Sequence, residues 1–308
     1  MGVDYSEKET RFSVDAPNAK YVSVVLFDKD GAKKQIPMER GVDGIWNALV
    51  ADLPCQTQYQ YRIDGKEKID PYGLQTTPIQ RSGEVPRSMV VDRSFSWDDS
   101  KWMQKRAKLG SDQPLVMYEL HPASWKTKEG KYLNYREIAE KLIDHCKATG
   151  YTHVELMGIL EHPCETSQGY QVTNYFSPNS RMGSVEDFKF MIAHLHKHNI
   201  GVVLDWIPNH FALDDYALTQ FDGTDQFEPS KVAALFSIRG IFMAQWGVNP
   251  FNFRKKPVRN FLLSSAHYWL KEMHIDALRV DAVGAILYSE HFPSARKFLY
   301  QLNDTVHK

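Results

Sequence analysis

From Leu115 onward, short apolar runs that read as strands alternate with amphipathic runs that read as helices. This alternation constrains the fold more than any other feature of the chain, because it predicts a parallel sheet flanked by helices. Leu115–Leu120 predicts a first strand. Asn134 then offers a helix N-cap with Glu137 three residues on, the pattern of a capping box. Ile138, Leu142, Ile143 and Cys146 mark the core side of that helix, and Gly150 marks its stop. Thr152–Met157 predicts the second strand. Ser184 and Asp187 open a second helix with Phe188, Met191, Ile192 and Leu195 inward. Gly201–Trp206 predicts a third strand and Ala277–Val283 a fourth, with a helix over 259–273 between them. Phe298, Leu299, Leu302 and Val306 predict a last helix over 294–307.

Residues 1–95 follow another rule. Arg11–Val14, Tyr21–Phe27, Trp46–Val50 and Tyr59–Ile63 are short β-branched and aromatic runs, separated by turn signals such as Pro17-Asn18, Asp30-Gly31 and Asp64-Gly65. They predict a small β-sandwich. The expected organisation is therefore a β-sandwich at 1–95, a linker at 96–113 and an α/β region at 114–308.

Charge and cysteine content narrow the function. Thirty-seven Lys and Arg against thirty-eight Asp and Glu leave a net charge of −1, without the basic field that nucleic acid or an anionic membrane requires. Three scattered cysteines, Cys55, Cys146 and Cys164, form no disulfide or zinc framework and read as reduced thiols. No apolar run approaches the ~20 residues of a membrane span. Met1–Ser6 matches the loose myristoylation pattern, with no polybasic segment beside it. A cytoplasmic protein is expected.

The polar residues at the strand ends carry the chemistry, since ligands collect at the C-terminal edge of such a sheet. The third strand ends in Asp205 and leads to Asn209-His210; the fourth carries Arg279 and Asp281. A carboxylate after Val202-Val203-Leu204 is costly to bury without partners. Arg279 and Asp281, two residues apart on one strand face, can pair so that the aspartate stays ionised. A lone aspartate at a strand end is ordinarily a helix cap or ion pair. By themselves these residues describe an α/β protein with an acidic site and no particular substrate.

The motifs say more. Asp205-Trp206-Ile207-Pro208-Asn209-His210 and Ala277-Leu278-Arg279-Val280-Asp281-Ala282-Val283 resemble two signatures of glycoside hydrolase family 13, the α-amylase family. Within it, Glu161-His162-Pro163, Gly169–Pro178, Arg181–Lys189, Phe221-Asp222-Gly223-Thr224, His274–Arg279 and Tyr118–Trp125 resemble the 1,4-α-glucan branching enzymes. Ala16–Ala19, Gly44-Ile45-Trp46 and Asp70-Pro71-Tyr72 resemble the family-48 carbohydrate-binding module that precedes their barrel. The resemblance implies a β-sandwich followed by the first half of a (β/α)8 TIM barrel. It implies a retaining transglycosylation on α-1,4-glucan that forms α-1,6 branches, without a cofactor, nucleic acid or membrane. Asp281 would be the nucleophile and Arg279 would orient it and keep its pKa low. Asp205, His210 and Tyr170 would line the sugar subsite, Tyr170 by stacking on the ring, while Trp125 and Trp206 read as packing.

The family also uses a glutamate acid/base and a third aspartate from later strands, and neither is assigned here. Glu290 lies in the wrong element and reads as a loop charge. Gln168 stands where branching enzymes usually carry Trp, Ala277 where they carry Gly, and Leu287–Ala295 reads as a shortened loop. The expectation is a polypeptide with little or no branching activity alone and open edge strands prone to self-association. A non-catalytic glucan-binding remnant and another α-amylase-family hydrolase are the alternatives.

Overall fold

The computed structural model describes all residues except 29, 32, 80–83, 107, 109–113, 231–244, 288–291 and 308. Residues 2–68 form nearly all of two antiparallel sheets. One has the order β1-β2-β6-β5, from β1 (Gly2–Tyr5), β2 (Glu9–Asp15), β5 (Glu39–Arg40) and β6 (Ile45–Ala51). The other has the order β4-β3-β7-β8, from β3 (Val22–Phe27), β4 (Lys33–Pro37), β7 (Gln58–Ile63) and β8 (Lys66–Lys68), with β9 (Ser88–Met89) also on β7. Phe12 on β2 meets Tyr59 on β7 edge to face at 5.1 Å, joining the two inner faces. Trp46 is core: it is buried, and its Nε1 donates to the Ala16 carbonyl at 3.0 Å. The aspartate of the Asp70-Pro71-Tyr72 motif is fully buried and accepts hydrogen bonds from Tyr59 at 2.8 Å and Tyr61 at 3.4 Å. Burial pushes its pKa up to about 6, and these hydrogen bonds with that of the Tyr72 amide limit the rise.

The segment expected as a linker is more ordered than the sequence suggests. It contains a helix, Ser100–Arg106, whose Trp102 is buried. Beyond it, β10 (Met117–Leu120), β13 (His153–Leu156), β16 (Gly201–Trp206) and β19 (Ala277–Val280) form one parallel sheet in that order. Small antiparallel pairs decorate it: β11 (Thr127–Lys128) with β12 (Lys131–Tyr132), β14 (Leu160–Glu161) with β15 (Asn174–Pro178), and β17 (His210–Ala212) with β18 (Val248–Pro250). Both anticipated helix starts are present as capping boxes. Asn134 with Glu137 opens the helix Tyr135–Thr149, and Ser184 with Asp187 opens Val185–Lys197. Gly150 ends the first at φ +80°, a backbone state that glycine adopts without strain. The expected helix over 259–273 is α-helical at Lys256–His267 and π-helical at Tyr268–Glu272. The fourth strand ends at Val280, and Val283–Leu287 and Phe292–Val306 are helices. The architecture is thus an antiparallel β domain followed by an α/β region built on a four-stranded parallel sheet, as a partial barrel would have.

The outer two strands of the parallel sheet differ from the inner two. All six residues of β16 are buried, whereas β19 alternates exposed and half-buried, and Leu115, Val116 and Met117 at the β10 edge are exposed. Contacts between the β domain and the barrel portion are extensive. Asn174 donates to the Asp70 carbonyl at 3.2 Å, Thr76 to Glu161 at 2.9 Å and the Val185 amide to Gln75 at 3.1 Å. No helix among the described residues is long and apolar enough to cross a membrane.

Candidate active site

Parallel pairing sets Asp205 directly beside Arg279 in register, at the C-terminal ends of β16 and β19. The ladder runs one residue further, with the Asp281 amide donating to the Trp206 carbonyl at 2.9 Å. Ala282 then turns at φ +52°. One guanidinium nitrogen of Arg279, Nη1, donates to Asp205 Oδ1 at 2.8 Å and to Asp281 Oδ1 at 2.7 Å. The three groups are exposed to different degrees. The Asp205 side chain is 2% accessible, Asp281 17% and Arg279 41%, so the cluster is buried on the β16 side and open on the β19 side.

Electrostatics follow from this placement. Burial pushes the Asp205 carboxyl above its usual value, opposed by the hydrogen bond and charge of Arg279, while Asp281 adds to the rise. Arg279 is held firmly protonated because the two carboxylates outweigh its partial burial. Arg279 is one cation among three acidic side chains, Asp205, Asp281 and, at 4.0 Å, Glu155, so the sheet edge carries an excess of negative charge. Such a charge stabilises positive charge developing on a bound substrate, most strongly where water is excluded.

Tyr170 and His210 join this cluster. Tyr170 is half-buried beside Asp205; burial, then the Asp205 charge, push its hydroxyl up to about 12. His210 Nε2 donates to the Tyr170 carbonyl at 2.9 Å, tying β17 to the Tyr170 turn. That turn admits no side chain at its apex. Gly169 has φ +91°, and a Cβ there would lie 2.3 Å from the Gly158 Cα. Tyr175 secures the other side by donating to the carbonyls of Ile207 and His210. The structure therefore brings all five sequence-predicted residues, Asp281, Arg279, Tyr170, Asp205 and His210, into one contiguous group. Trp206 is fully buried and donates to Ser265 at 3.2 Å, and Trp125 donates to the Tyr118 hydroxyl at 3.0 Å, both packing roles as expected. Glu290 lies outside the described residues, as does part of Leu287–Ala295.

Sequence reasoning missed Glu155. It lies on β13, is 4% exposed, and its Oε1 is 4.0 Å from Arg279 Nε. Burial pushes it up, followed by the charges of Glu119 and Asp205, with Arg279 opposing. Its signal was the one that exposed Asp205, a carboxylate inside an apolar strand. Among the described residues no group of three or more His, Cys, Asp or Glu side chains is arranged to hold a metal ion.

Comparison with known proteins gives this arrangement its class. Residues 1–73 match the model of carbohydrate-binding module 48 (isoamylase N-terminal domain), and residues 120–232 match that of the alpha amylase catalytic domain. The two matched stretches are thus similar to a carbohydrate-binding module and, after it, to an amylase-type catalytic region. More particularly, the chain is similar to proteins named 1,4-alpha-glucan branching enzyme GlgB. It is 38% identical to that of Nocardia farcinica over 97% of this chain and 41% of the relative. It is 40% identical to that of Oceanobacillus iheyensis over 90% and 44%, and 37% identical to that of Deinococcus radiodurans over 99% and 45%. A crystal structure from Salmonella typhimurium described as an alpha amylase superposes with a TM-score of 0.76 at 26% identity, over 98% of this chain and 47% of that one. The chain spans less than half the length of each of these relatives, and corresponds to their N-terminal portion.

Proposed function

We propose that the chain is the N-terminal portion of a retaining transglycosylase that cleaves α-1,4 links in a cytoplasmic α-glucan and rejoins them as α-1,6 branches. In this reading residues 1–95 are the carbohydrate-binding module, 96–113 the connection and 114–308 the first half of the barrel. The observation that carries it is the single Arg279 nitrogen shared between Asp205 and Asp281 at the open end of the parallel sheet. Asp281 is the nucleophile, since it is the more accessible of the two carboxylates and has one oxygen fixed by Arg279. A retaining reaction needs such an ionised, oriented carboxylate to form the glycosyl-enzyme bond. Asp205 and Tyr170 form the wall of the subsite, and His210 holds the Tyr170 turn against it.

The acid/base that would protonate the leaving oxygen is not assigned within the chain. Such help is worth ~10²–10⁴ in rate, so the 308 residues alone are expected to bind α-glucan and branch it poorly or not at all. Association of chains through the open β10 and β19 edges belongs to the same proposal, and sedimentation at several concentrations tests it.

A 5-fluoro-α-glucosyl fluoride separates the nucleophile from the missing acid, because fluoride departs without protonation. Mass spectrometry should then find the sugar on the peptide containing Asp281, and none after Asp281→Asn. Label on another residue, or equal label in the variant, would sink the assignment. Amylose incubated with the chain should keep its iodine stain. Debranching-enzyme analysis of any products distinguishes branching from hydrolysis by another type of amylase-family enzyme.

A further inference from the structure

Lys68, on the last strand of the β domain, is 1% exposed although it carries an ammonium group. Its Nζ donates to the carbonyls of Asp215 and Thr219, the latter at 2.7 Å, and sits 5.9 Å from the centre of the Phe221 ring. All three belong to the segment 213–228 that follows β17. The adjoining backbone is engaged too, with the Ile69 amide donating to the Tyr216 carbonyl at 2.9 Å.

A second group of contacts grips the same segment. Asp222, 2% exposed, accepts from the Asn18 amide at 3.1 Å and the Asn18 side chain at 2.8 Å, and its other oxygen accepts from Thr224. Gln226 donates to the Asp15 carbonyl at 3.0 Å. The Phe221–Thr224 motif and the Ala16–Ala19 motif are therefore two halves of one joint. From that joint a chain of bonds leads to the site. Thr219 donates to the Ala212 carbonyl at 3.2 Å and accepts from Asn249 at 3.1 Å, so it clasps β17 and β18 together. Ala212 ends the strand that begins with His210, which in turn holds the Tyr170 carbonyl.

We propose that Lys68 is a positioning residue: through the two hydrogen bonds that its side-chain nitrogen donates, the β domain pins segment 213–228, and so fixes the His210–Tyr170 side of the site. The domain is then a structural half of the catalytic cleft rather than an appendage that only captures glucan. This rests on the reading of His210 and Tyr170 as subsite residues, although the pinning itself does not.

An ammonium is a demanding choice for a buried pin, because it must be desolvated and its protons must find acceptors. Asp215, Asp222 and Glu228 on the segment offset its charge, and Lys66 on its own strand opposes it. Burial is the dominant influence and lowers its pKa to about 8. When the segment undocks, Lys68 regains its ordinary higher value. Between the two values the undocked form binds more protons, so raising the pH favours the docked form.

The test is hydrogen exchange and histidine ring NMR on the 308-residue chain and its Lys68→Met and Asn18→Ala variants. Exchange protection over 210–228 should fall about tenfold or more in Lys68→Met, which leaves two carbonyls without donors. The His210 ring signals should shift, while those of His196 and the protection of Tyr135–Thr149 stay as in the parent. Above pH 8 the parent's protection over 213–228, corrected for intrinsic rates, should rise by up to tenfold per unit. The methionine variant should show no such rise. If Lys68→Met does not fold, Asn18→Ala should weaken the same segment by a smaller factor. Unchanged protection over 210–228 in the folded variants, or loss spread evenly over the whole chain, overturns the proposal. Maltoheptaose affinity separates the two readings: moved His210 signals with unchanged affinity would leave the pin standing and remove His210 from the sugar subsite.

Discussion

The parallel sheet carries a charged cluster at each end, and the two are built to opposite specifications. At the end where the strands begin, His196 is fully buried between Asp99 at 2.8 Å and Asp276 at 3.0 Å. Trp102 stacks on His196 at 5.3 Å and donates to Asp276 at 2.8 Å, and Arg106 reaches the same carboxylate at 3.1 Å. His274 donates to Asp99 at 2.8 Å with Trp97 stacked on it at 3.8 Å. At the other end one guanidinium nitrogen serves two carboxylates, and the arginine is 41% exposed. The first cluster satisfies its charges internally, which fastens the segment 97–106 under the barrel. The second leaves charge facing outward, where a ligand can use it. Similar residues, closed or left open, separate fastening from chemistry.

The largest expected effect breaks the closed cluster. His196→Ala removes the shared partner of two buried carboxylates and should cost ~3–5 kcal/mol of stability in urea titrations. Next comes the open cluster. Arg279→Ala should cost less than His196→Ala, because Arg279 is itself 41% exposed and Asp281 is open to water while Asp205 is buried, yet it should abolish labelling of Asp281 by the fluoride donor. Equal losses of stability in the two variants would erase the comparison.

The smallest effect is the pH dependence of the fastening. Burial works against the charge on His196, but hydrogen bonds to Asp276 and Asp99 and their charges raise its pKa overall. Burial likewise opposes the two carboxylates, and the histidines hold both below their usual values. The histidine's contribution is complete below its ordinary value of ~6.5 and is lost as the pH rises through its raised native value. The aspartates contribute fully above ~3.9 and lose it as the pH falls through their lowered native values. The stability gap between parent and His196→Ala should therefore be widest near pH 5 and narrower at pH 9. A gap that widens toward pH 9 would mean His196 is neutral in the native state.

Much of this was legible because the signals are local. Gly201–Trp206 was readable because the apolar, mostly β-branched run Val202–Leu204 starts behind a glycine and ends in Asp205, two residues before the Ile207-Pro208 break. Both capping boxes lie within four residues of sequence. Among the strands that escaped, Lys33–Pro37 is an outer strand with two exposed lysines, the device that protects a sheet edge and hides its apolar alternation, and Lys66–Lys68 is only three residues long. The His196 cluster escaped because its bonds span 97 and 80 residues, and no spacing rule connects such positions. A histidine beside Leu195 on the buried face of a helix was the one visible hint. The open cluster was easier to read, since Arg279 and Asp281 are neighbours and Asp205 ends an otherwise apolar strand.

The joint between Asn18 and Asp222 bears on inheritance. Its halves are 204 residues apart in the chain, so a single crossover anywhere between them would draw one half from each of two diverged parents. Chimaeras that trade the front domain alone should therefore be handicapped unless both halves travel together. Over generations the two segments would drift as a unit, and a designer exchanging modules would have to transplant them as a pair.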